Sequence, residues 1–260
     1  MADLTGLHAE LCALLPKVAE QIFTGRFSTV EKGQDGLDLV TSVDFAAQAA
    51  LEEALPRLLP GSQVVGEEGF AEATGSAPFW LVDPLDGTVN FVAGLPSYAI
   101  AVVLVESGTP VLAAVYDVPH KRTYSAVLGG GAFLDGTPLV PRPRVAKLAV
   151  ASSGLLRDLT EQSPQTLGKL LQDFKLRNFG SQALHLCYAA AGNLSLVASR
   201  EAKGWDDMAG ALIAREAGLT YGAYHLPAQG RPKINADQFS LCAPAPLFEN
   251  YAPLLALSQP

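Results

Sequence analysis

The run Trp80-Leu81-Val82-Asp83-Pro84-Leu85-Asp86-Gly87-Thr88-Val89-Asn90-Phe91 constrains this chain more than any other stretch. Three apolar residues read as the end of a buried strand. That strand delivers two carboxylates three residues apart, then a Gly-Thr pair where a helix can begin. Hard cations take oxygen ligands, and two acids with backbone carbonyls on one tight turn supply them. The N–H groups of the first helical turn have no partners within the helix and face an anion such as phosphate. Metal and phosphate sites side by side are what phosphoryl chemistry requires. Taken alone, the same Asp-x-x-Asp-Gly-Thr also describes an acidic surface turn, so the other acids decide between the readings.

Composition narrows the field. The chain has 260 residues, about half of them apolar, enough for one large domain or two modest ones with a packed core. A net charge of −8 argues against a nucleic-acid binder, since no cationic footprint offsets it. Cys12, Cys187 and Cys242 lie far apart without metal-site spacing and read as buried thiols in a reducing compartment. The start of the sequence shows no basic region followed by an apolar run, and no apolar run reaches the ~20 residues of a membrane span. A cytoplasmic, non-membrane protein is expected.

Along the chain, residues 4–23 carry Leu4, Leu7, Leu11, Leu14, Leu15, Val18 and Ile22 at helical spacing, with Pro16 as a possible kink. A second helix, capped by Ser42 or Asp44, runs to about Leu59. Between them the Gly33–Gly36 turn lies in a loop, 28–38, that reads equally as a mobile flap or an ordered loop. A short strand, 63–66, runs into Glu67 and Glu68, and strands follow the central run near 98–106, 110–117 and 121–127. The proline-rich stretch Pro138–Pro143 marks a boundary, giving an N-terminal α+β half over 1–140 and a C-terminal α/β half over 141–260. In the second half, strands at 147–152, 175–179, 194–198 and 239–242 alternate with helices at 163–173, 182–191, 206–217 and 247–257.

Four acids sit at element ends: Glu67 after a strand, Asp83 and Asp86 on the central turn, and Asp206 where a helix begins. Clustered carboxylates raise each other's pKa unless a cation neutralises them, so their convergence means a divalent metal site. Asp207, beside Asp206, reads as solvated.

Val65-Gly66-Glu67-Glu68, the Trp80–Phe91 run and Gly204-Trp205-Asp206-Asp207-Met208-Ala209-Gly210 together resemble the inositol monophosphatase family of magnesium-dependent, lithium-sensitive sugar-phosphate phosphatases. Asp38–Asp44, Gly130–Phe133 and Arg177–Ala183 add to the match, which runs in order from about residue 36 to 218. The resemblance implies an α/β (α+β) fold, a layered αβαβα sandwich of the inositol monophosphatase / fructose-1,6-bisphosphatase type. It implies that Glu67, Asp83 and the Leu85 carbonyl hold one Mg²⁺ and that Asp83, Asp86 and Asp206 hold a second. A third, weaker ion shares Glu67, and Li⁺ inhibits. Gly87 and Thr88 N–H groups bind phosphate, while the Thr88 hydroxyl, backed by Asp44 and with Glu67 nearby, orients and deprotonates water. The family also implies a homodimer.

Substrate-facing positions follow the pattern less closely. Gly180, Ser181, Gln182, Ser199, Asp86 and Asp206 are the substrate-binding candidates, Gln182 serving equally as a helix cap. Family members that grip inositol hydroxyls carry a glutamate six residues before the Trp of the Trp-Asp pair; here that position is Ser199, with Arg200 and Glu201 beside it. A hydroxyl reads a polyol less strongly than a carboxylate does. The expected reaction is hydrolysis of a small polyol or sugar phosphate such as inositol 1-phosphate. Histidinol phosphate, fructose 1,6-bisphosphate and 3′-phosphoadenosine 5′-phosphate are alternative substrates, and Arg200 and Lys203 either meet a second anionic group or are surface charges. A non-catalytic regulatory protein on the same fold, or a structural calcium site at Asp83–Asp86, is the reading from another class.

Overall fold

A computed structural model describes residues 4–31, 39–140, 146–225 and 233–256. Helix α1 (Leu4–Ile22) buries Leu7, Leu11, Leu15 and Val18 along one stripe and passes through Pro16 without ending. Strands β1 (Thr29–Glu31) and β2 (Leu39–Thr41) pair antiparallel; the rest of the 28–38 loop, residues 32–38, lies outside the described residues. Helix α2 (Ser42–Leu58) is capped by Thr41, not by Ser42 or Asp44. Asp44 instead occupies the third helical position and its Oδ2 accepts from Thr41 N at 2.8 Å, closing a capping box.

Strands β3 (Gln63–Gly66) and β4 (Phe79–Asp86) come next, then a short helix α3 (Thr88–Ala93). Strands β5 (Ala99–Glu106), β6 (Thr109–Asp117), β7 (Arg122–Val127), β8 (Gly131–Leu134) and β9 (Thr137–Pro138) follow. Strands β3 to β9 form one seven-stranded sheet in sequence order, antiparallel except for the β3–β4 pair.

The second half contributes β10 (Leu148–Ala151), α4 (Ser153–Gln162), α5 (Pro164–Asp173), β11 (Lys175–Leu176), α6 (Gln182–Ala190), β12 (Leu196–Ser199), α7 (Gly204–Glu216), β13 (Thr220–Ala223), β14 (Ser240–Ala243) and α8 (Ala245–Ala256). Its five strands are ordered β11-β10-β12-β14-β13. The expected single helix at 163–173 is preceded by another, α4, a short and largely polar helix that buries Leu155 and Leu159. The strand expected over 175–179 stops at Leu176, because pairing with β10 ends there.

Strand alternation sorts the apolar residues into layers. Trp80, Val82, Ile100, Val102 and Leu104 face α1 and α2. Leu81, Ala101, Val103 and Val105 face the other way, onto α6 and α7. Val150, Val197 and Cys242 of the second sheet meet those same two helices, while Ala149, Ala151, Leu196, Ala198, Leu241 and Ala243 face α4, α5 and α8. The result is a five-layered αβαβα sandwich with α6 and α7 as its middle layer. Gly210 makes that layer thin: a Cβ there would lie 2.6 Å from Leu186 Cβ, so no other residue lets α7 approach α6 so closely. Of the expected boundary stretch Pro138–Pro143, residues 141–143 lie outside the described residues.

Candidate active site

The central strand is built to turn both of its acids into one cleft. Side chains three apart on a regular strand point to opposite faces. In β4, however, Asp83 pairs with Ala101 and Asp86 with Ala99, so one extra residue bulges between them. Pro84, which has no N–H to donate, lies inside this bulge. The expected acids then converge: Glu67 just beyond β3, Asp83 and Asp86 at the end of β4, and Asp206 in the first turn of α7. Single carboxylate oxygens of Glu67, Asp83 and Asp206 lie within 4.8 Å of one another.

Asp83 is fully buried; its Oδ1 accepts from Leu85 N at 3.0 Å, while Oδ2 has no hydrogen-bond donor. What Asp83 meets is another acid, Asp206, at a separation where the two carboxyls share either a proton or a cation. Burial pushes Asp83 well above the usual carboxylate range, and the charges of Glu67, Asp86 and Asp206 push it further. Asp206 is raised by burial and by Asp86 and Glu67, even though its Oδ2 accepts from Lys203 N at 2.6 Å. Burial raises Asp86 to about 6, against the pull of the Ser181 hydroxyl and the Ala183 and Gln182 N–H groups. An orphaned carboxylate oxygen amid mutually repelling acids fits an all-oxygen divalent cation site.

These acids line a cleft of about 560 Å³ together with Leu85, Gly87, Thr88, Gly180, Glu201, Lys203 and Trp205. Gly87 holds φ +96°, and a Cβ there would stand 2.9 Å from Ser97 O and 3.1 Å from Gly180 O. Only glycine fits where the turn passes under the second half. The Thr88 hydroxyl lies 3.0 Å from Asp44 Oδ1 and 2.9 Å from the Leu85 carbonyl, one proton between two acceptors. Asp44 is fixed from behind by Thr41, whose N–H and hydroxyl both donate to Oδ2, at 2.8 and 2.6 Å.

The substrate-binding candidates lie around an adjoining pocket of about 230 Å³ that shares Asp86, Gly180, Glu201 and Asp206 with the cleft. Ser181 is buried, caps α6, and donates its hydroxyl to Asp86 Oδ2 at 2.6 Å. Gln182 donates its backbone N–H to Asp86 Oδ1 at 3.2 Å, while its side-chain amide is committed to Asp207 and His185. Ser199 is in the pocket wall, its hydroxyl accepting from Ala202 N at 3.3 Å. Glu201 reaches both cavities and accepts from Ser152 Oγ at 2.6 Å and Gly154 N at 2.9 Å. Of the two cations, Arg200 pairs with Asp158 at 2.7 Å, whereas Lys203 lines the cleft and pairs with Asp237.

Two residues carry more than their sequence context suggested. Asp207 is completely buried, not solvated, because it lies on the face of α7 turned toward α6 and β13. Asn90 Nδ2 donates to Ser97 O at 2.7 Å and Phe179 O at 2.5 Å, tying α3 to the loop that carries Gly180. The Thr-Val-Asn-Phe context gives no sign of a partner 89 residues away.

Comparison with known proteins agrees with this geometry. A family model described as the inositol monophosphatase family matches residues 3–256. A Thermotoga maritima protein named fructose-1,6-bisphosphatase/inositol-1-monophosphatase is 34% identical over 212 residues, covering 79% of this chain and 80% of that protein. A Mycobacterium leprae inositol-1-monophosphatase is 36% identical over 220 residues, covering 80% and 75%. Among solved structures, a staphylococcal IMPase-II with inositol monophosphate bound superposes with a TM-score of 0.78 at 25% identity, covering 96% of this chain and 94% of that one.

Proposed function

The chain belongs to the inositol monophosphatase family, and on that premise we propose that it is a magnesium-dependent phosphomonoesterase acting on a small polyol or sugar phosphate. The observation that carries the reading is the buried Asp83 carboxylate, without a donor on Oδ2 and surrounded by three more acids. Glu67, Asp83 and the Leu85 carbonyl would hold one ion, and Asp83, Asp86 and Asp206 a second, with a third sharing Glu67. When bound, magnesium neutralises acids and phosphate and lowers the pKa of coordinated water from ~15.7 towards neutrality.

The chain's own groups do the rest. With its proton donated to Asp44, the Thr88 hydroxyl keeps lone pairs free to accept from the attacking water and so aims it. Glu67, which lines the same cleft as Thr88, is the base that takes the water's proton. The Gly87 and Thr88 N–H groups hold phosphate oxygens. No covalent protein nucleophile is needed, since phosphoryl transfer demands positioning and charge stabilisation. The alcohol portion occupies the adjoining pocket, against Gly180, Ser181 and Ser199, with Glu201 as the carboxylate that reads its hydroxyls in place of Ser199; Gln182, whose side-chain amide is committed to Asp207 and His185, gives it no hydrogen bond. Inositol 1-phosphate leads the substrates, consistent with the relatives' names; histidinol phosphate, fructose 1,6-bisphosphate and 3′-phosphoadenosine 5′-phosphate are the alternatives.

A cytoplasmic location accords with three free thiols, and no described helix is long and apolar enough to cross a membrane. A homodimer accords with Val89, Leu95 and Phe179, apolar side chains left exposed around Asn90. The test is phosphate release from these four esters with magnesium titrated and lithium added. Turnover of one of them that needs magnesium and is inhibited by lithium supports the reading. Magnesium-dependent stabilisation with no turnover of any ester moves it to a binding or structural role.

A further inference from the structure

Beside the substrate pocket, the buried Asp207 and His185 and the half-buried Gln182 between them form a continuous chain of side-chain hydrogen bonds that the proposed reaction does not use. Asp207 Oδ1 accepts from Gln182 Nε2 at 2.8 Å, and its Oδ2 from the Tyr221 hydroxyl at 3.1 Å. Gln182 Oε1 lies 3.2 Å from His185 Nδ1, and His185 Nε2 accepts the Phe179 N–H at 3.0 Å. Every direction in this chain is determined. A backbone N–H on Nε2 puts the ring proton on Nδ1, which then donates to Oε1. A carboxylate opposite Nε2 of Gln182 fixes the amide the same way round. The chain ends at the loop that carries Gly180 and Ser181. Its middle member, Gln182, also donates its backbone N–H to Asp86, beside the Ser181 hydroxyl and the Ala183 N–H.

Burying a carboxylate for packing alone is unfavourable, and an apolar residue of similar volume serves a core as well or better. The geometry points to Asp207, Gln182 and His185 as a positioning relay that fixes the start of α6 and thereby aims the Asp86 carboxylate into the metal cleft. Gln182 is then a positioning residue, not one that reads the substrate. This rests on the metal-dependent reading above. Partners that orient a ligand in this way change metal affinity by about 10–100-fold when removed.

The experiment is a Mg²⁺ titration of the full chain, read by melting temperature without substrate, followed by KM and kcat at saturating Mg²⁺. Gln182→Leu is expected to raise the half-saturating Mg²⁺ concentration about 10-fold or more and to leave KM within about 2-fold. Asp207→Asn, whose amide oxygen still accepts from Gln182, is expected to stay within about 3-fold of wild type in Mg²⁺. If Gln182→Leu does not fold, Gln182→Met, of matching length, gives the same readout. An unchanged Mg²⁺ half-saturation in a folded Gln182 variant overturns the relay, whether KM rises (a substrate-reading residue) or the melting temperature falls equally at all Mg²⁺ (a packing role). A wild-type melting temperature indifferent to Mg²⁺ overturns the metal reading and the relay with it.

Discussion

Asp86→Asn should make the metal-free protein more stable near neutral pH while weakening its response to magnesium. The Asp86 carboxyl is raised from 3.8 to about 6 in the folded chain. A raised carboxyl binds its proton more tightly in the folded than in the unfolded state. Its contribution therefore favours folding only below its unfolded pKa, and turns into a cost as pH rises through about 6. Roughly two units at about 1.36 kcal/mol each make that cost about 3 kcal/mol above the folded pKa. Asparagine carries no charge but has one acceptor oxygen for the three donors now on Asp86, so it forfeits about 1 kcal/mol of hydrogen bonding. The net gain is about 2 kcal/mol, or roughly 4–8 °C in melting temperature for a chain of this size. Thermal unfolding in EDTA from about pH 4 to pH 8 should show the variant slightly less stable than wild type at the acid end and more stable at the other. Adding magnesium should reverse the order at high pH. A variant less stable by the same margin across the whole range would refute the premise that the three hydrogen bonds to this carboxylate leave a burial cost for a cation to offset.

Asp83→Asn touches both proposed ions, and losing about 4 kcal/mol of transition-state stabilisation should lower kcat/KM about 10³-fold at moderate magnesium, measured as phosphate release. Thr88→Val keeps the shape but removes the hydroxyl between Asp44 and Leu85 O, and should cost about 10²-fold or more in kcat, whereas Thr88→Ser should recover most of it. Gly87→Ala should destabilise by about 1–3 kcal/mol from its backbone conformation alone, with the contact on Ser97 O adding to it; denaturant unfolding checks this.

The sequence carried the site further than it carried the fold around it. Glu67, Asp83, Asp86 and Asp206 were legible because acids at the ends of apolar strands and helices are costly unless something binds them. The Thr88–Asp44 pair was legible only through family resemblance, since 44 residues separate them and no periodicity joins them. Helix α4 is short and largely polar, and strand β13 is half-buried along its whole length, so neither stands out in the sequence from the loops around it. Asp207 shows the limit most clearly. Beside a metal-ligand candidate it reads as a second solvated acid, and only the packing of α7 against α6 and β13 reveals that it is buried and answered by Gln182 and Tyr221. Glu201 is a similar case, because its reach into the cleft depends on how the chain turns after β12.

Four acids brought together from the end of β3, from β4 and from α7 form the proposed metal centre that hydrolyses a phosphate ester. This is tested most directly by titrating magnesium into metal-free protein, with binding followed by calorimetry and phosphate release from inositol 1-phosphate followed in parallel. Both curves should rise over the same magnesium range, and Asp83→Asn should weaken both together. Phosphate release that persists in EDTA, or an Asp83→Asn protein that binds magnesium and turns over as wild type does, would contradict this.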